Sequence, residues 1–372
     1  MLKSVGIRAI AVNFPETVRT NNYWRKHYPE LVATAGQKSL AKNFSPKTSA
    51  KNNTSDLWKQ EMKPYLSDPF RGAVERRILA PGESSLALQR DAAEVALKAA
   101  NLSPQDIDLM LVTSMFPEQI VPGDAAFLAG ELGLQGAAWN LESTCTSALV
   151  SLETACALMQ TGRYRNVLVV VSCTYSRFVD PNDTLSFLVG DGAGAFIVSA
   201  LDQNQGILGS KIIHTNPTCG AFFSEFAVDR AGTPRMFIRA SQNAGKVFRN
   251  VFLNFLRDCC FGAIAEAGLN LEDIDFFVFN TLVPWYGSLF TRALGIDPKR
   301  TIDTNSLYGN IGVVSPVANL YHAAQSKKIC KDDLILIYTF GATGSAGAIV
   351  VKWGEVALGA MPIAHPHYLR AA

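Results

Sequence analysis

Seven cysteines occur in the chain, at 145, 156, 173, 219, 259, 260 and 330, and one of them has a setting suited to chemistry. Cys145 lies in Asn140-Leu141-Glu142-Ser143-Thr144-Cys145-Thr146-Ser147-Ala148-Leu149, where a predicted apolar strand turns into a helix rich in Ala and Leu over 148–158. A thiol at a helix N-terminus meets unsatisfied N–H groups and the positive end of the helix dipole, and both favour thiolate over thiol. The small neighbours leave the sulfur approachable, so nucleophilic catalysis is one reading of Cys145. A buried structural cysteine is the other. Cys156 within the helix, Cys173 at a strand end and Cys259-Cys260 on an apolar helix read as core residues.

Other chemical signatures are weaker. No CxxC pair occurs and the cysteine count is odd, which suggests neither a disulfide framework nor a zinc site. Gly190-Asp191-Gly192-Ala193-Gly194-Ala195 leads into an apolar strand, Phe196-Ile197-Val198. A dinucleotide loop instead follows a strand and opens a helix, so these glycines read as permitting close packing. No P-loop is present. The expectation is that no metal or tightly bound cofactor is used.

Elements to position these residues can be read along the chain. Residues 5–13 read as a first strand, and residues 20–70, rich in Lys, Asn, Ser and Thr, as a helical and loop insertion. Within it, Ser45 to Thr54 reads as a loop. Ser84 to Ala100 is helical, Asp106 to Met115 a buried strand of continuous apolar character, and 122–132 helical. After Cys145 come a helix and the strand Val167 to Val171. The pattern then repeats at an offset near 160–170 residues. Ala99 to Leu109 matches Glu266 to Phe276, Leu132-Gly133-Leu134 matches Leu294-Gly295-Ile296, and Val167 to Val171 matches Leu334 to Tyr338. The segment at 190–198 matches 341–349. A duplicated strand–helix unit follows. It predicts two α/β halves, 1–200 carrying Cys145 and 201–372, stacked as five alternating layers.

The composition agrees with a large enzyme-sized core. The 372 residues are 48% hydrophobic and 18% charged, with a net charge of +2, which gives no general reason to expect nucleic-acid or membrane binding. The N-terminal apolar run is too short for a signal peptide and no run of about 18 apolar residues exists. A cytoplasmic setting is expected.

Taken together, Arg76-Arg77-Ile78-Leu79-Ala80-Pro81, Asp106-Ile107-Asp108, the Cys145 segment, the Gly190 segment, Tyr308-Gly309-Asn310 and Phe340-Gly341-Ala342 stand in the order and spacing of the thiolase superfamily's β-ketoacyl-ACP synthase III branch. The resemblance covers about residues 70–353 and the first strand. It implies a thiolase-like fold of duplicated βαβαβαββ halves in an αβαβα arrangement. It also implies transfer of an acyl group from a thioester to Cys145 and then onto an acceptor.

The resemblance carries a Cys, His and Asn trio. Cys145 and Asn310 match the first and last. The position of the histidine is occupied by Asn280, in Phe277-Val278-Phe279-Asn280-Thr281-Leu282. An asparagine donates a hydrogen bond but cannot act as a base near neutral pH, so decarboxylative condensation is put in doubt and simple acyl transfer is less affected. The oxyanion hole is expected from the backbone N–H groups of Cys145 and Ala342. Phe-Asn-Thr followed by Trp285-Tyr286 resembles the branch's acyltransferase offshoot in polyketide and other specialised metabolism.

The expected function is thus transfer of an acyl group from an acyl-ACP or acyl-CoA thioester, through Cys145, to a carrier-protein thiol, hydroxyl or amine. A condensing enzyme, or a silent subunit of a heterodimeric synthase, is the alternative. CoA or phosphopantetheine thioesters are expected as substrates, with an acyl carrier protein and a second copy of the chain as partners. Of the histidines, His214 could reach a pocket, His322 belongs to a helix after Asn310, and His365 and His367 lie in the tail. Glu118, before Ile120-Val121-Pro122-Gly123, could enter a pocket across a dimer interface, as an acidic residue does in some relatives.

Overall fold

The computed structural model describes residues 4–44, 53–229, 232–341 and 344–361; for 38–44 and 53–56 only the backbone course is described. In chain order the elements are β1 (Val5–Asn13), β2 (Val18–Thr20), α1 (Asn21–His27), α2 (Pro29–Phe44), α3 (Asn53–Met62), β3 (Glu75–Arg77), α4 (Ser85–Ala99), β4 (Leu109–Met115), α5 (Asp124–Leu132), β5 (Ala137–Asn140) and α6 (Ser147–Gln160). There follow β6 (Asn166–Thr174), β7 (Asp191–Ala200), β8 (Gly206–Thr215), β9 (Phe222–Val228), β10 (Pro234–Ala240), α7 (Ala244–Glu266), β11 (Phe276–Phe279), α8 (Tyr286–Leu294), α9 (Asn305–Tyr308), α10 (Ser315–Gln325), β12 (Leu334–Gly341), β13 (Gly344–Lys352) and β14 (Ala357–Leu358).

Two mixed sheets organise the molecule. One has the order β14-β1-β7-β6-β4-β5 and the other β11-β12-β13-β8. Because strand side chains alternate between faces, each sheet feeds two cores. Leu109, Leu111, Val169 and Val171 point inward with Ile335, Ile337 and Ile349 of the second sheet, and α6 and α10 fill the space between. Met110, Val112, Leu168 and Val170 point outward against α4 and α5. Leu336, Tyr338, Ala348 and Val350 point outward on the other side, against α7 and α8. The result is helix, sheet, helix, sheet, helix: a thiolase fold.

The matched stretches of sequence form matching local structure. Pro104–Asp106 and Leu271–Asp273 are both 3-10 turns closed by a capping box, Ser103 with Asp106 and Asn270 with Asp273. Because Asp106 is spent on this cap, the strand begins at Leu109 rather than at Asp106. The helices α5 and α8 both end on a left-handed glycine, Gly133 at φ +67° and Gly295 at φ +72°. One expectation changes character: the strand before Cys145 is not apolar and buried but an edge strand, with Trp139 of β5 38% exposed. It pairs only with β4 among the described residues. The β9–β10 hairpin was not foreseen; its residues Phe226 and Val228 are exposed.

The 20–70 insertion is pinned to the body by two tryptophans. Trp24 of α1 is buried beside Phe70 and Phe187, lies under the Arg76 guanidinium at 4.5 Å, and donates Nε1–H to Ser186 Oγ at 3.1 Å. Trp58 of α3 packs edge-on against Phe252, Trp285 and Tyr286. Beside it Ser288 Oγ donates to Glu61 Oε2 at 2.6 Å, and Arg292 pairs with the same carboxylate. Most of the loop expected at Ser45 to Thr54 lies outside the described residues, although Asn53 and Thr54 open α3.

Candidate active site

Cys145 sits in the 3-10 turn Thr144–Thr146, which runs directly into α6. The turn is built by short polar links. Ser147 Oγ accepts from Ser143 N at 2.6 Å and donates to Thr144 O at 2.7 Å. Thr144 adopts φ +52°, a conformation costly for a β-branched residue. What holds it there comes from the second sheet. Thr144 Oγ1 lies 3.0 Å from Ser345 Oγ, and Ser345 Oγ donates to Ser143 O at 2.8 Å. Gly341 leaves the room for this: a Cβ there would stand 1.9 Å from Thr144 Oγ1. The glycines of the 190–195 segment also serve packing, Gly192 against Phe14 and Val314 and Gly194 against Val317.

Cys145 is 3% exposed, and its Sγ lies 4.0 Å from the hydroxyl of Tyr175. Tyr175 follows the end of β6 and stacks at a tilt on Phe116. Its ring also walls Gly312, whose Cβ position is 3.1 Å from Tyr175 Cε2 and 2.9 Å from Cys173 Sγ. Gly312 belongs to the segment that carries Asn310. Asn310 Oδ1 accepts from Gly312 N at 2.9 Å, while the Asn310 backbone exchanges hydrogen bonds with Leu188 O at 2.7 Å and Gly190 N at 2.9 Å. The 3-10 turn of Cys145 touches Gly312–Val314, β12 and β13, so nucleophile turn and Asn310 loop meet at one end of the two sheets.

Asn280 follows β11 at that same end. Its backbone N–H donates to Tyr338 O at 3.0 Å; next to it Thr281 N donates to Ser315 Oγ at 3.0 Å and Asn305 Nδ2 donates to Thr281 O at 2.9 Å. The backbone is therefore fixed on both sides. The side chain is 1% exposed, and neither Oδ1 nor Nδ2 has a hydrogen-bond partner among the described residues. A buried amide normally finds partners, so Asn280 is an exception among the described side chains at this end of the sheets.

The remaining expectations fall out differently. Ala342 lies outside the described residues, as do His365 and His367. His214 lies inside β8 rather than after a strand, paired with Ser345 and holding Gly344 O through Nδ1 at 2.9 Å. His322 is in α10, buried, with Nε2 2.8 Å from the Tyr308 hydroxyl, and burial lowers its pKa to about 4. Within the chain, Glu118 accepts from Ser85 N at 2.5 Å and faces Arg177 at 3.8 Å. Burial pushes its carboxyl up, but hydrogen bonds from Ser84, Ser85 and Leu86 outweigh that and hold it below the ordinary value. Asp191, the first residue of β7, is buried and accepts from Leu79 N, Ser176 N and Ser176 Oγ; burial raises it to about 6.

Two residues of this site, Tyr175 and Ser345, were not singled out in the sequence. Tyr175 stands in Cys173-Thr174-Tyr175-Ser176-Arg177, which carries no motif, and only the strand order places it against Cys145. Ser345 falls in the second copy of the Gly-rich segment, where its small size conceals its role as a tie.

Comparison with known proteins agrees with this architecture. Residues 139–216 match the family model for 3-oxoacyl-[acyl-carrier-protein] synthase III, and residues 264–353 match the model for its C-terminal part. β-Ketoacyl-[acyl-carrier-protein] synthase III of Microcystis aeruginosa is 32% identical over 298 residues, 77% of this chain and 88% of that protein. Among solved structures, the priming β-ketosynthase of the R1128 polyketide pathway superposes with a TM-score of 0.75 at 21% identity, covering 95% of this chain and 97% of that one. Xanthomonas campestris OleA, solved with lauric acid and lauroyl-CoA bound, gives 0.74 at 17% identity over 95% of this chain and 100% of that one. Fold and site thus define a member of the thiolase superfamily. Within it, the chain belongs to the β-ketoacyl-[acyl-carrier-protein] synthase III family, and it is an enzyme of the transferase or condensing type. Among the described residues no helix is long and apolar enough to cross a membrane.

Proposed function

We propose that the protein transfers an acyl group from an acyl-CoA or acyl carrier protein thioester onto Cys145, and from there to a carrier-protein thiol, a hydroxyl or an amine. The observation that carries this reading is Asn280. It occupies the position where the family pattern has histidine, it is buried, and both ends of its amide lack partners among the described residues. Such an amide can hold a thioester carbonyl by donation from Nδ2, but it has no proton to take up and no positive charge to set against an enolate. Transfer needs only the nucleophile, donors for the tetrahedral oxyanion and a route for one proton. In this reading Asn310 positions the substrate's thioester arm, and the N–H groups of Cys145 and Ala342 form the oxyanion hole.

Family membership favours one further reading, carbon–carbon bond formation, because the curated relatives carry the name of ketoacyl synthases. Intact-protein mass spectrometry separates the two. Incubation with a series of acyl-CoA and acyl-ACP thioesters is expected to give an adduct that Cys145→Ala lacks and that moves to an added thiol, hydroxyl or amine without carbon dioxide release from malonyl thioesters. Carbon dioxide release that depends on Cys145 would favour condensation, and no adduct with any thioester would favour a silent subunit.

The same reading places the enzyme in polyketide or other specialised metabolism, in the cytoplasm, with no tightly bound cofactor. It takes residues 1–200 and 201–372 as its two halves. A second copy is the expected partner at the β5 edge, where Trp139, Phe127, Ile120 and Val121 leave apolar surface exposed. Sedimentation at micromolar concentration tests the dimer.

A further inference from the structure

We propose that the Tyr175 hydroxyl is the hydrogen-bond donor that holds the Cys145 sulfur in its reactive, thiolate form. This rests on the acyl-transfer reading for its purpose but not for its evidence. Tyr175 places its O–H 4.0 Å from Cys145 Sγ, the outer reach of an O–H···S contact, and such contacts tighten when substrate fills an empty site. The ring lies against Phe116 at a centroid distance of 5.4 Å, and the Gly312 backbone approaches so closely that a Cβ there would stand 3.1 Å from Tyr175 Cε2.

The hydroxyl is suited to donate and unsuited to ionise. Burial, then the neighbouring Cys145 and Cys173 sulfurs, raise the Tyr175 pKa well above its ordinary value. It therefore keeps its proton across the neutral range. A donor aimed at the charged form of a group favours that form. Titratable neighbours of the sulfur include Tyr175 and Cys173, and Asp191 acts in turn on Cys173. In acylation the Cys145 Sγ–C bond forms and the thioester C–S bond breaks; the thiolate supplies the electron pair and the departing sulfur leaves as thiolate, to be protonated by solvent. Tyr175 gives up no proton in this step and lowers the cost of forming the attacking anion.

The test is the pH dependence of Cys145 alkylation by iodoacetamide in the full-length protein, read by peptide mass mapping because Cys219 and Cys330 are also exposed to reagent. Tyr175→Phe keeps the ring and its contacts and removes only the oxygen. The expected result is an upward shift of the alkylation midpoint, with labelling at neutral pH slowed about tenfold and the high-pH plateau not lowered, as the loss of a donor to the charged sulfur requires. A curve that overlays wild type overturns the proposal. So does a curve lowered equally at every pH, which would make Tyr175 a packing residue. Failure of the acyl-transfer reading would appear separately, as no acyl adduct in the wild-type protein, and would leave the alkylation curves to judge Tyr175.

Discussion

Thr144 of the nucleophile turn and Ser345 of β13 are joined hydroxyl to hydroxyl at 3.0 Å, across the boundary between the two sheets. The contact fixes a left-handed threonine next to Cys145, and Ser345 fixes Ser143 O as well. The shape of the turn is therefore set by the second sheet as well as by the local links through Ser147. Ser345→Ala removes both ties, leaving Ser143 O without this donor and the Thr144 hydroxyl without this acceptor, both half-buried. It is expected to cost about 1–3 kcal/mol in urea unfolding and to slow formation of the acyl adduct. Gly341→Ala is the sharper change. Its Cβ would meet Thr144 Oγ1 at 1.9 Å, so the turn must shift, and adduct formation should fall more than tenfold, by the sensitivity of reactions to misplacement of about 1 Å. Adduct formation at the wild-type rate in Gly341→Ala would mean that the turn tolerates displacement.

Asn280 gives a prediction in which stability and activity move in opposite directions. A buried amide without partners costs about 1–3 kcal/mol, and a leucine of similar volume removes that penalty. Asn280→Leu should raise the melting temperature while reducing acyl transfer. A variant that loses both would make Asn280 a structural residue. Asn280→His asks the converse question: an imidazole placed between the fixed backbone of Phe279 and Thr281 should raise carbon dioxide release from malonyl thioesters above the wild-type level.

How much of this was legible in the sequence depends on the range of the forces involved. The first strand was readable to the residue, because nine positions of Val5–Asn13 are nearly all buried and carry their own signal. The paired stretches ending at Leu109 and Phe276 were readable to within a few residues, because capping boxes and glycine stops are written close to the elements they close. The family resemblance located Cys145, Asn310 and Asn280 along the chain. Local sequence did not reveal Tyr175 or Ser345: their roles depend on which strand lies beside which, and nothing within ten residues of either encodes that. The exposure of β5 was hidden for the same reason. A strand reads as apolar or polar, but whether it is central or at an edge is decided by its neighbours.

His322 and Asp191 bend the stability curve in opposite senses. Burial lowers His322 to about 4, below the ordinary imidazole value. The unfolded chain then takes up a proton there before the folded one does, so this group's contribution is present above about 6.5 and is lost as pH falls toward 4. Asp191 is raised to about 6 by burial. Its contribution is present below the ordinary carboxylate value, near 4, and is lost as pH rises through about 6. Urea midpoints measured from pH 4 to pH 8 should lose the His322 component of the slope in His322→Gln and the Asp191 component in Asp191→Asn. A variant whose curve keeps the wild-type slope would show that the group does not titrate in that window.

Trp58 ties the insertion to the same aromatic body that backs Phe340, the residue before Gly341. Phe252 touches both, at 5.4 Å from Trp58 and 4.8 Å from Phe340. Removing a buried tryptophan costs about 3–5 kcal/mol when the site cannot collapse. Helix α3 is also held by Leu57 and Met62 packed on the same core, by Ser288 and half-exposed Arg292 on the Glu61 carboxylate, and by Arg292 donating to Gln60 at 3.1 Å. Partly exposed ion pairs contribute at most about 1 kcal/mol. Trp58→Ala should therefore free the insertion locally rather than unfold the protein, and limited proteolysis should cut within residues 20–70 at protease concentrations that leave the wild type whole. Arg292→Ala should change the cleavage rate far less. If the two variants are cut equally fast, the ion pair and not the indole anchors the insertion.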